Sequence, residues 1–142
     1  MHITQGFDVS ETTYEVNANL VKKEGQFFLF FDEENYDDHE ITKCRFEITT
    51  EGLRMRRNGP IVMEQMHIEG QETEGYIKTP FGHMNTRLKT SQFSFTQQTD
   101  GTYRLNLGYD LYTGEEKTGT YLLEIIVTRL KHSEIKKEAI VS

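Results

Sequence analysis

The sequence predicts an all-β protein built as a single antiparallel meander of about nine or ten strands, either closed into a barrel or folded as a sandwich. Three observations predict this fold. Apolar and polar residues alternate through most of the 142 residues, tight-turn residues separate the alternating runs, and no segment before the tail has sustained helical spacing. We expect one domain over residues 1–142, with about 131–142 forming a C-terminal tail that is either a short helix or frayed.

Three runs of the chain show the alternation most clearly, and each has one apolar face. These faces comprise Tyr14, Val16, Ala18 and Leu20 in the first run, Cys44, Phe46 and Ile48 in the second, and Tyr103, Leu105, Leu107, Tyr109 and Leu111 in the third. Turn residues lie between the runs, notably Asn58-Gly59 and Asp100-Gly101, which suit the positive φ of a two-residue hairpin loop. Half-buried strands joined in this way favour an antiparallel sheet.

Two segments are apolar on both faces, namely "QFFLFF" at residues 26–31 and "YLLEIIVTRL" at residues 121–130. The outer face of such a strand needs cover. The N-terminal segment, the C-terminal tail or a second subunit would each supply it, so a homodimer is one of the expected arrangements.

Charge is distributed unevenly along the chain. The formal net charge is -7, and residues 1–40 hold ten Asp or Glu against two Lys. An acidic sheet repels a phosphate backbone, so we predict no nucleic-acid partner. The N-terminus lacks a basic start followed by an apolar run, and no segment approaches the roughly 18 apolar residues of a membrane span. We therefore expect a cytoplasmic protein with no membrane partner.

Four blocks of the sequence carry a family resemblance: "FFLFFDEE", "RMRRNG", "TPFGHMNTRLKT" and "LNLGYDLYTGEE". With these blocks, residues 14–130 resemble the YwiB-like family of uncharacterised bacterial proteins, which are described as lipocalin-like, or calycin, β-barrels. The late block, from Leu105 to Gly114, is the most specific. The turn departs from the family pattern, since Asn58 precedes its glycine and Pro60 follows it. The resemblance implies a lipocalin-like barrel of about 8–10 strands; it brings no known activity and no catalytic residues.

Residue types that carry catalysis are present without the arrangement that catalysis needs. Cys44 is the single cysteine, which excludes an internal disulfide and favours a buried apolar role. The acidic run "DEENYDDHE" at residues 32–40 offers oxygen ligands but lacks the spacing and central glycine of a calcium loop, so we expect a solvated hairpin loop. The histidines form no pair at helical metal-binding spacing, although His67 and His83 could meet across strands. We predict no catalysis, no cofactor and no metal.

The stretch "GLRMRRNGPIVMEQMHIEG" at residues 52–70 crowds three arginines beside a turn. A two-residue loop at Asn58-Gly59, or a four-residue loop from 57 to 60, pairs Arg56 with Ile61 and Arg54 with Met63; a three-residue bulged loop flips one strand. In the first register, one face carries Leu53, Met55, Val62, Met66 and Ile68, and the other carries Arg54, Arg56, Ile61, Met63, Gln65 and His67. Either the first face packs inward with the arginines outside, or the mixed face lines the barrel mouth.

These observations lead to two functional hypotheses. The first is a non-catalytic binding module for a small, partly apolar molecule, whose polar part could be an anionic group such as a carboxylate or phosphate; barrels of about eight strands have room for one small ligand. Its predicted ligand contacts are Arg54, Arg56, His67, Phe95 and Tyr109. The second is an interaction or structural barrel with a filled core, which assembles through the apolar strands at 27–31 and 122–127. A cavity of about 300 Å³ or more distinguishes the first from the second.

Overall fold

Regular structure in this protein is built from antiparallel β-strands. The computed structural model describes residues 1–7, 10–35, 37–129 and 138–140, and within these ranges it contains twelve strands and no helix. The strands are β1 (His2–Phe7), β2 (Ser10–Glu15), β3 (Asn17–Lys23), β4 (Gln26–Glu34), β5 (Ile41–Ile48), β6 (Leu53–Asn58), β7 (Val62–His67), β8 (Glu72–Thr79), β9 (Gly82–Gln97), β10 (Tyr103–Thr113), β11 (Glu116–Arg129) and β12 (Glu138–Ile140).

The strands from β3 to β11 form the predicted meander, in which each strand pairs with the next along the chain. The sheet curls until its ends meet. At that seam β11 pairs with β10 on one edge, and on its other edge with β1 and with the short β12, which in turn pairs with β3. The all-β barrel is therefore confirmed. No helix of the described residues is both long and apolar enough to cross a membrane.

Strand alternation separates the inside of the barrel from the outside, as the sequence predicts. Cys44, Phe46 and Ile48 of β5 are buried, and so are the leucines of β10. The first predicted run is interrupted at Val16, where β2 ends and β3 begins. Ala18 beyond this break is buried and Leu20 is half-buried, so the apolar face continues into the barrel.

A bulge reverses the alternation in the longest strand. Thr90 lies opposite Tyr109 and Gln92 opposite Gly108, so Ser91 is the extra residue of β9. Its hydroxyl donates to the carbonyl of Gly108 at 3.1 Å. Because one added residue exchanges the two faces of a strand, even-numbered side chains point inward before the bulge and odd-numbered ones after it.

The segments that are apolar on both faces differ in how far their outer faces are covered. In β4, Phe28 and Phe30 lie on the outer face with their rings stacked at 6.5 Å, and the guanidinium of Arg45 lies over both rings at 5.6 and 5.8 Å. In β11, Leu122 is 54% exposed. The N-terminal segment is not a cover for β11: it forms β1 at the edge of that strand. Of the predicted tail, the structure describes only β12; residues 131–137 and 141–142 lie outside the described residues.

The two ends of the barrel differ. One end carries the connections at residues 35–40, 59–61, 80–81 and 114–115, and we call it the Arg57 end; the opposite end, called the Phe95 end, carries those at 24–25, 49–52, 68–71 and 98–102. Towards the Phe95 end the interior is filled, with Leu29, Phe46 and Leu53 all at 1% exposure or less. The space that remains open lies towards the Arg57 end.

Candidate functional site

A cavity of about 1390 Å³ lies towards the Arg57 end of the barrel. Six strands contribute inward-facing side chains to its wall: Phe31, Glu33, Met55, Arg57, Met63, Gln65, Ile77, Tyr109, Leu111, Tyr121 and Leu123. Most of these are apolar or aromatic, and the polar ones are few. Ligand pockets commonly combine an apolar wall with a small number of placed polar groups.

The first polar group of the cavity wall is an ion pair between Arg57 and Glu33. An Nη1 atom of Arg57 donates to Oε1 of Glu33, and both side chains are largely shielded from water. Cys44 lies against the pair, with its Sγ 3.2 Å from the same carboxylate oxygen and 3.4 Å from Arg57 Nη1. Burial raises the pKa of the Cys44 thiol to about 12 and outweighs the opposing effect of Arg57. Cys44 is therefore a neutral thiol near pH 7.

The second polar group is a chain of side chains that begins at Thr90 and passes through His67 and Gln65. Nδ1 of His67 is 3.0 Å from Oγ1 of Thr90, and Nε2 is 3.0 Å from Oε1 of Gln65. His67 is fully buried, and burial lowers its pKa to about 4. The imidazole is therefore neutral at pH 7 and has one N–H. Because the amide oxygen of Gln65 can only accept, Nε2 carries the proton and Nδ1 accepts from the threonine hydroxyl.

Tyr109 connects this chain to the cavity. Its ring is 4.5 Å from the His67 ring and stacks on Tyr121 at 5.2 Å. Burial raises the pKa of Tyr109 to about 12. A side-chain hydrogen bond with Gln65 and the positive charge of Arg57 oppose this rise. The amide Nε2 of Gln65 also lies 3.4 Å from Sδ of Met63. Tyr109 thus presents a neutral phenol at the wall.

The register of the arginine hairpin differs from both even-loop predictions. Arg57 lies opposite Met63 and Met55 opposite Gln65, which leaves five residues, 58–62, between the paired positions. An odd loop turns β7 over relative to the predicted pairing. The inner face therefore combines Leu53, Met55 and Arg57 of β6 with Met63, Gln65 and His67 of β7. Gly59 has no positive φ, so the predicted two-residue turn is wrong.

Arg54 and Arg56 lie outside the barrel, so neither lines the cavity. Arg54 Nη1 is 3.8 Å from Oε2 of Glu47, and Arg56 Nε is 3.7 Å from Oε1 of Glu64. Their predicted role as contacts within the barrel depended on an inward orientation. Arg57, which the sequence analysis did not select, is the arginine that points inward. Its alternation with Leu53 and Met55 is the signal that would have identified it.

The other three predicted contacts divide between the two ends. Tyr109 lines the cavity, whereas His67 lies behind it and touches Tyr109 and Gln65. Phe95 lies at the Phe95 end, where its ring stacks on Tyr103 at 5.4 Å and meets Phe27 at 5.0 Å. Phe95 helps to fill that end of the barrel and does not line the cavity.

The rim of the cavity is acidic. Glu15, Asp32 and Glu34 join Glu33 among the lining residues, and among the residues that the structure describes Arg57 is the one basic residue of the lining. In the part of the chain that the structure describes, no group of three His, Cys, Asp or Glu residues is arranged to hold a metal. His39 of the acidic run pairs instead with Glu34, at 2.9 Å. His83 stacks on Tyr76 on the outer face, away from His67.

Comparison with known proteins gives a family and a similar fold, and neither description names an activity. A family model described as "Domain of unknown function (DUF1934)" matches residues 1–125. The fold is similar to the crystal structure of the ywiB protein from Bacillus subtilis, with a TM-score of 0.72 and 16% identity over 87% of this chain and 86% of that one. No curated protein matches the sequence.

Proposed function

We propose that this chain, which belongs to the DUF1934 family of YwiB-like proteins, is a non-catalytic binding module. It holds a small, partly apolar molecule inside its barrel. The observation that carries this proposal is the cavity of about 1390 Å³. A space of roughly 300–1000 Å³ accommodates a typical small ligand, so this cavity is large enough.

The chemistry of the wall supports a partly apolar ligand. Met55, Met63 and Leu111 form apolar wall, and the thioethers of methionine adapt to ligands of irregular shape. Tyr109 and Tyr121 add flat aromatic surface. Burying such a wall against a ligand yields about 25 cal/mol for each Å² of apolar surface removed from water, before the cost of association.

The polar residues support binding more than catalysis. The pKa of Cys44 is raised and that of His67 is lowered, so near pH 7 neither is charged. Both nitrogens of His67 are engaged by neighbouring side chains. A nucleophile or general base needs a pKa matched to its task and access to the substrate. We therefore assign these residues structural roles in shaping the pocket.

Two experiments test the proposal. The first looks for a molecule that remains bound during purification, and the second measures dye binding before and after the cavity is blocked. Native mass spectrometry of the protein purified from its own cells reports a bound molecule and the subunit count together. Nile red fluorescence then measures binding of an apolar dye. We expect Met63→Trp, which places an indole in the cavity, to abolish dye binding. Met66→Trp is the matched control, because Met66 lies on the outer face of the same strand.

Two results would contradict the binding module. One is a protein that carries no molecule and does not bind the dye. The other is dye binding that persists unchanged in Met63→Trp while thermal melting shows that both tryptophan variants are folded.

A second candidate, assembly through apolar strands, is favoured by a different observation. Leu122 on the outside of β11 is 54% exposed, and Val21 and Phe30 on the outside of β3 and β4 are 39% and 37% exposed. A dimer mass that changes to a monomer mass in Leu122→Glu would support assembly. A monomer mass for the unaltered protein at micromolar concentration would remove it.

A further inference from the structure

We infer that the ligand is an amphiphilic cation, such as a long-chain amine, whose apolar part lies in the cavity and whose positive group stays at a gap in the barrel wall. This gap, which we call the side opening, lies between β2 and the last residues of β4, Asp32–Glu34. The inference rests on the proposed function and specifies the ligand class of the same cavity. It follows from the end of strand pairing at the gap and from the charges that border it.

Pairing between β3 and β4 ends before β4 does. The last pair joins Ala18 to Phe31, although β4 continues to Glu34. At Val16 the chain turns to β1 instead: its backbone N–H donates to the carbonyl of Met1 at 3.3 Å, and the amino group of Met1 donates to the carbonyl of Val16 at 3.2 Å. Among the described residues no pairing joins β2 to β4. The sheet is therefore split between these two strands.

The cavity reaches the outside of the barrel through this split. Phe31 and Glu33 of β4 point into the cavity. Phe30 and Asp32 lie on the outer face of the same strand and also belong to the lining, as does Asn17 on the outer face of β3. A cavity behind a continuous sheet would contact only one face of each strand, because successive side chains point to opposite faces. The apolar interior is therefore open along the side of the barrel.

Carboxylates border the side opening on both sides. If the pairing of β3 with β4 continued, it would place Glu15 directly opposite Glu34, and like charges in that position destabilise strand pairing. Asp32 is a third carboxylate of the border, and all three side chains are exposed. Two basic residues lie close to them: Lys43 is opposite Asp32 in the pairing of β4 with β5, and Nδ1 of His39 is 2.9 Å from Oε1 of Glu34.

These charges favour a cation over an anion. Glu33 and Arg57 form an ion pair inside the cavity, so the groups at the border set the sign of the potential at the side opening. The three border carboxylates and Lys43 have a formal net charge of -2. A ligand carboxylate would be repelled there and would have to displace Glu33 to reach the guanidinium. A ligand ammonium is attracted to the side opening while its chain contacts the apolar wall.

Three probes with the same eight-carbon chain separate a cationic, a neutral and an anionic head group: octylammonium, 1-octanol and octanoate. Each is titrated calorimetrically at pH 7.5. We expect octylammonium to bind about tenfold more tightly than octanoate, with 1-octanol between them. The border carboxylates are exposed, so raising NaCl from roughly 20 to about 500 mM should reduce this difference to about threefold or less.

A triple variant tests the side opening itself. Glu15→Gln, Asp32→Asn and Glu34→Gln together remove its carboxylates, and we expect octylammonium then to bind no more tightly than 1-octanol. Binding of 1-octanol should change by less than about threefold, because its head group carries no charge. Thermal melting shows whether the variant is folded, and the comparison of the three probes in the unaltered protein does not depend on it.

The matched control combines Glu24→Gln, Glu51→Gln and Glu74→Gln. These three exposed residues lie outside the lining, and their replacement changes the net charge of the protein by the same amount. The control variant should keep the preference for octylammonium. If it loses the preference as fully as the first variant does, the charge of the whole protein selects the cation, and the side opening does not.

The outcomes separate failure of this inference from failure of the proposed function. Equal affinities for octylammonium and octanoate, tighter binding of octanoate, or a preference that persists in the first triple variant would overturn the ligand class while Nile red still bound in the cavity. Absence of binding by Nile red and by all three probes would overturn the binding module itself, and the inference with it.

Discussion

The rings of His67 and Tyr109 lie with their centroids 4.5 Å apart and their planes at 50°. Through this contact a residue buried behind the cavity touches a residue that lines it. His67 is held among buried side chains, whereas Tyr109 has the cavity on its other side. Hydrogen bonds from both ring nitrogens of His67, to Thr90 Oγ1 and to Gln65 Oε1, hold the imidazole behind the Tyr109 ring. The packing of this part of the wall therefore depends on a buried, neutral histidine.

We predict that the free energy of unfolding falls as the pH is lowered from 6.5 to 4. Burial lowers the pKa of His67 to about 4, whereas an unfolded histidine keeps its ordinary value near 6.5. In this window the unfolded chain binds more protons, so stability is fully present above about pH 6.5 and is lost as the pH approaches 4. The contribution is on the order of 3 kcal/mol, at about 1.4 kcal/mol for each pKa unit. Urea denaturation at intervals across this range measures it.

The control is His67→Gln, which cannot titrate and should flatten this part of the pH profile. NMR titration of the unaltered protein gives an independent result, because it follows the imidazole itself. A His67 midpoint near 6.5 would contradict the prediction, even if acid destabilised the protein through its carboxylates.

Cys44 should react very slowly with iodoacetamide in the native protein. The reagent attacks the thiolate, and burial raises the pKa of this thiol from 9.0 to about 12. At pH 8 the thiolate population is then roughly a thousandfold smaller than for an ordinary cysteine. We expect fast alkylation in guanidinium chloride and almost none in buffer, as read by intact mass. Native alkylation within tenfold of the rate in denaturant would show that the thiol is activated, and would reopen the question of nucleophilic chemistry.

Much of the fold could be predicted from the sequence because alternation and turn chemistry are local signals. The buried faces at Cys44, Phe46 and Ile48 and along β10 follow directly from a period of two residues. The seam at β1 and β12 could not be read in this way, since it pairs residues separated by more than a hundred positions, such as Ile3 with Ile125. Nothing local in either segment specifies that partner.

The site was harder to predict because one residue of loop length decides which side chains meet. Tyr109, one of the predicted ligand contacts, lies at the cavity wall. Arg54 and Arg56 were selected from an even-loop register, and the odd loop after Arg57 removed the basis for that selection. Phe95 follows a bulge at Ser91 that the sequence analysis did not include. Glu33 and Arg57 are far apart in sequence, so their pairing is visible only once the barrel is closed.

The pair of Glu33 and Arg57 should show strong coupling in a double-mutant cycle. Arg57→Met takes the guanidinium away from the shielded Glu33 carboxylate, and we expect it to lower the free energy of unfolding by about 3 kcal/mol. Glu33→Gln combined with Arg57→Met removes the carboxylate charge as well and should recover at least half of this loss. Arg56→Met is the control: Arg56 pairs with Glu64 at the surface and should change stability by less than about 1 kcal/mol. Additive effects of the Glu33 and Arg57 substitutions in urea denaturation would mean that the ion pair does not stabilise the cavity wall.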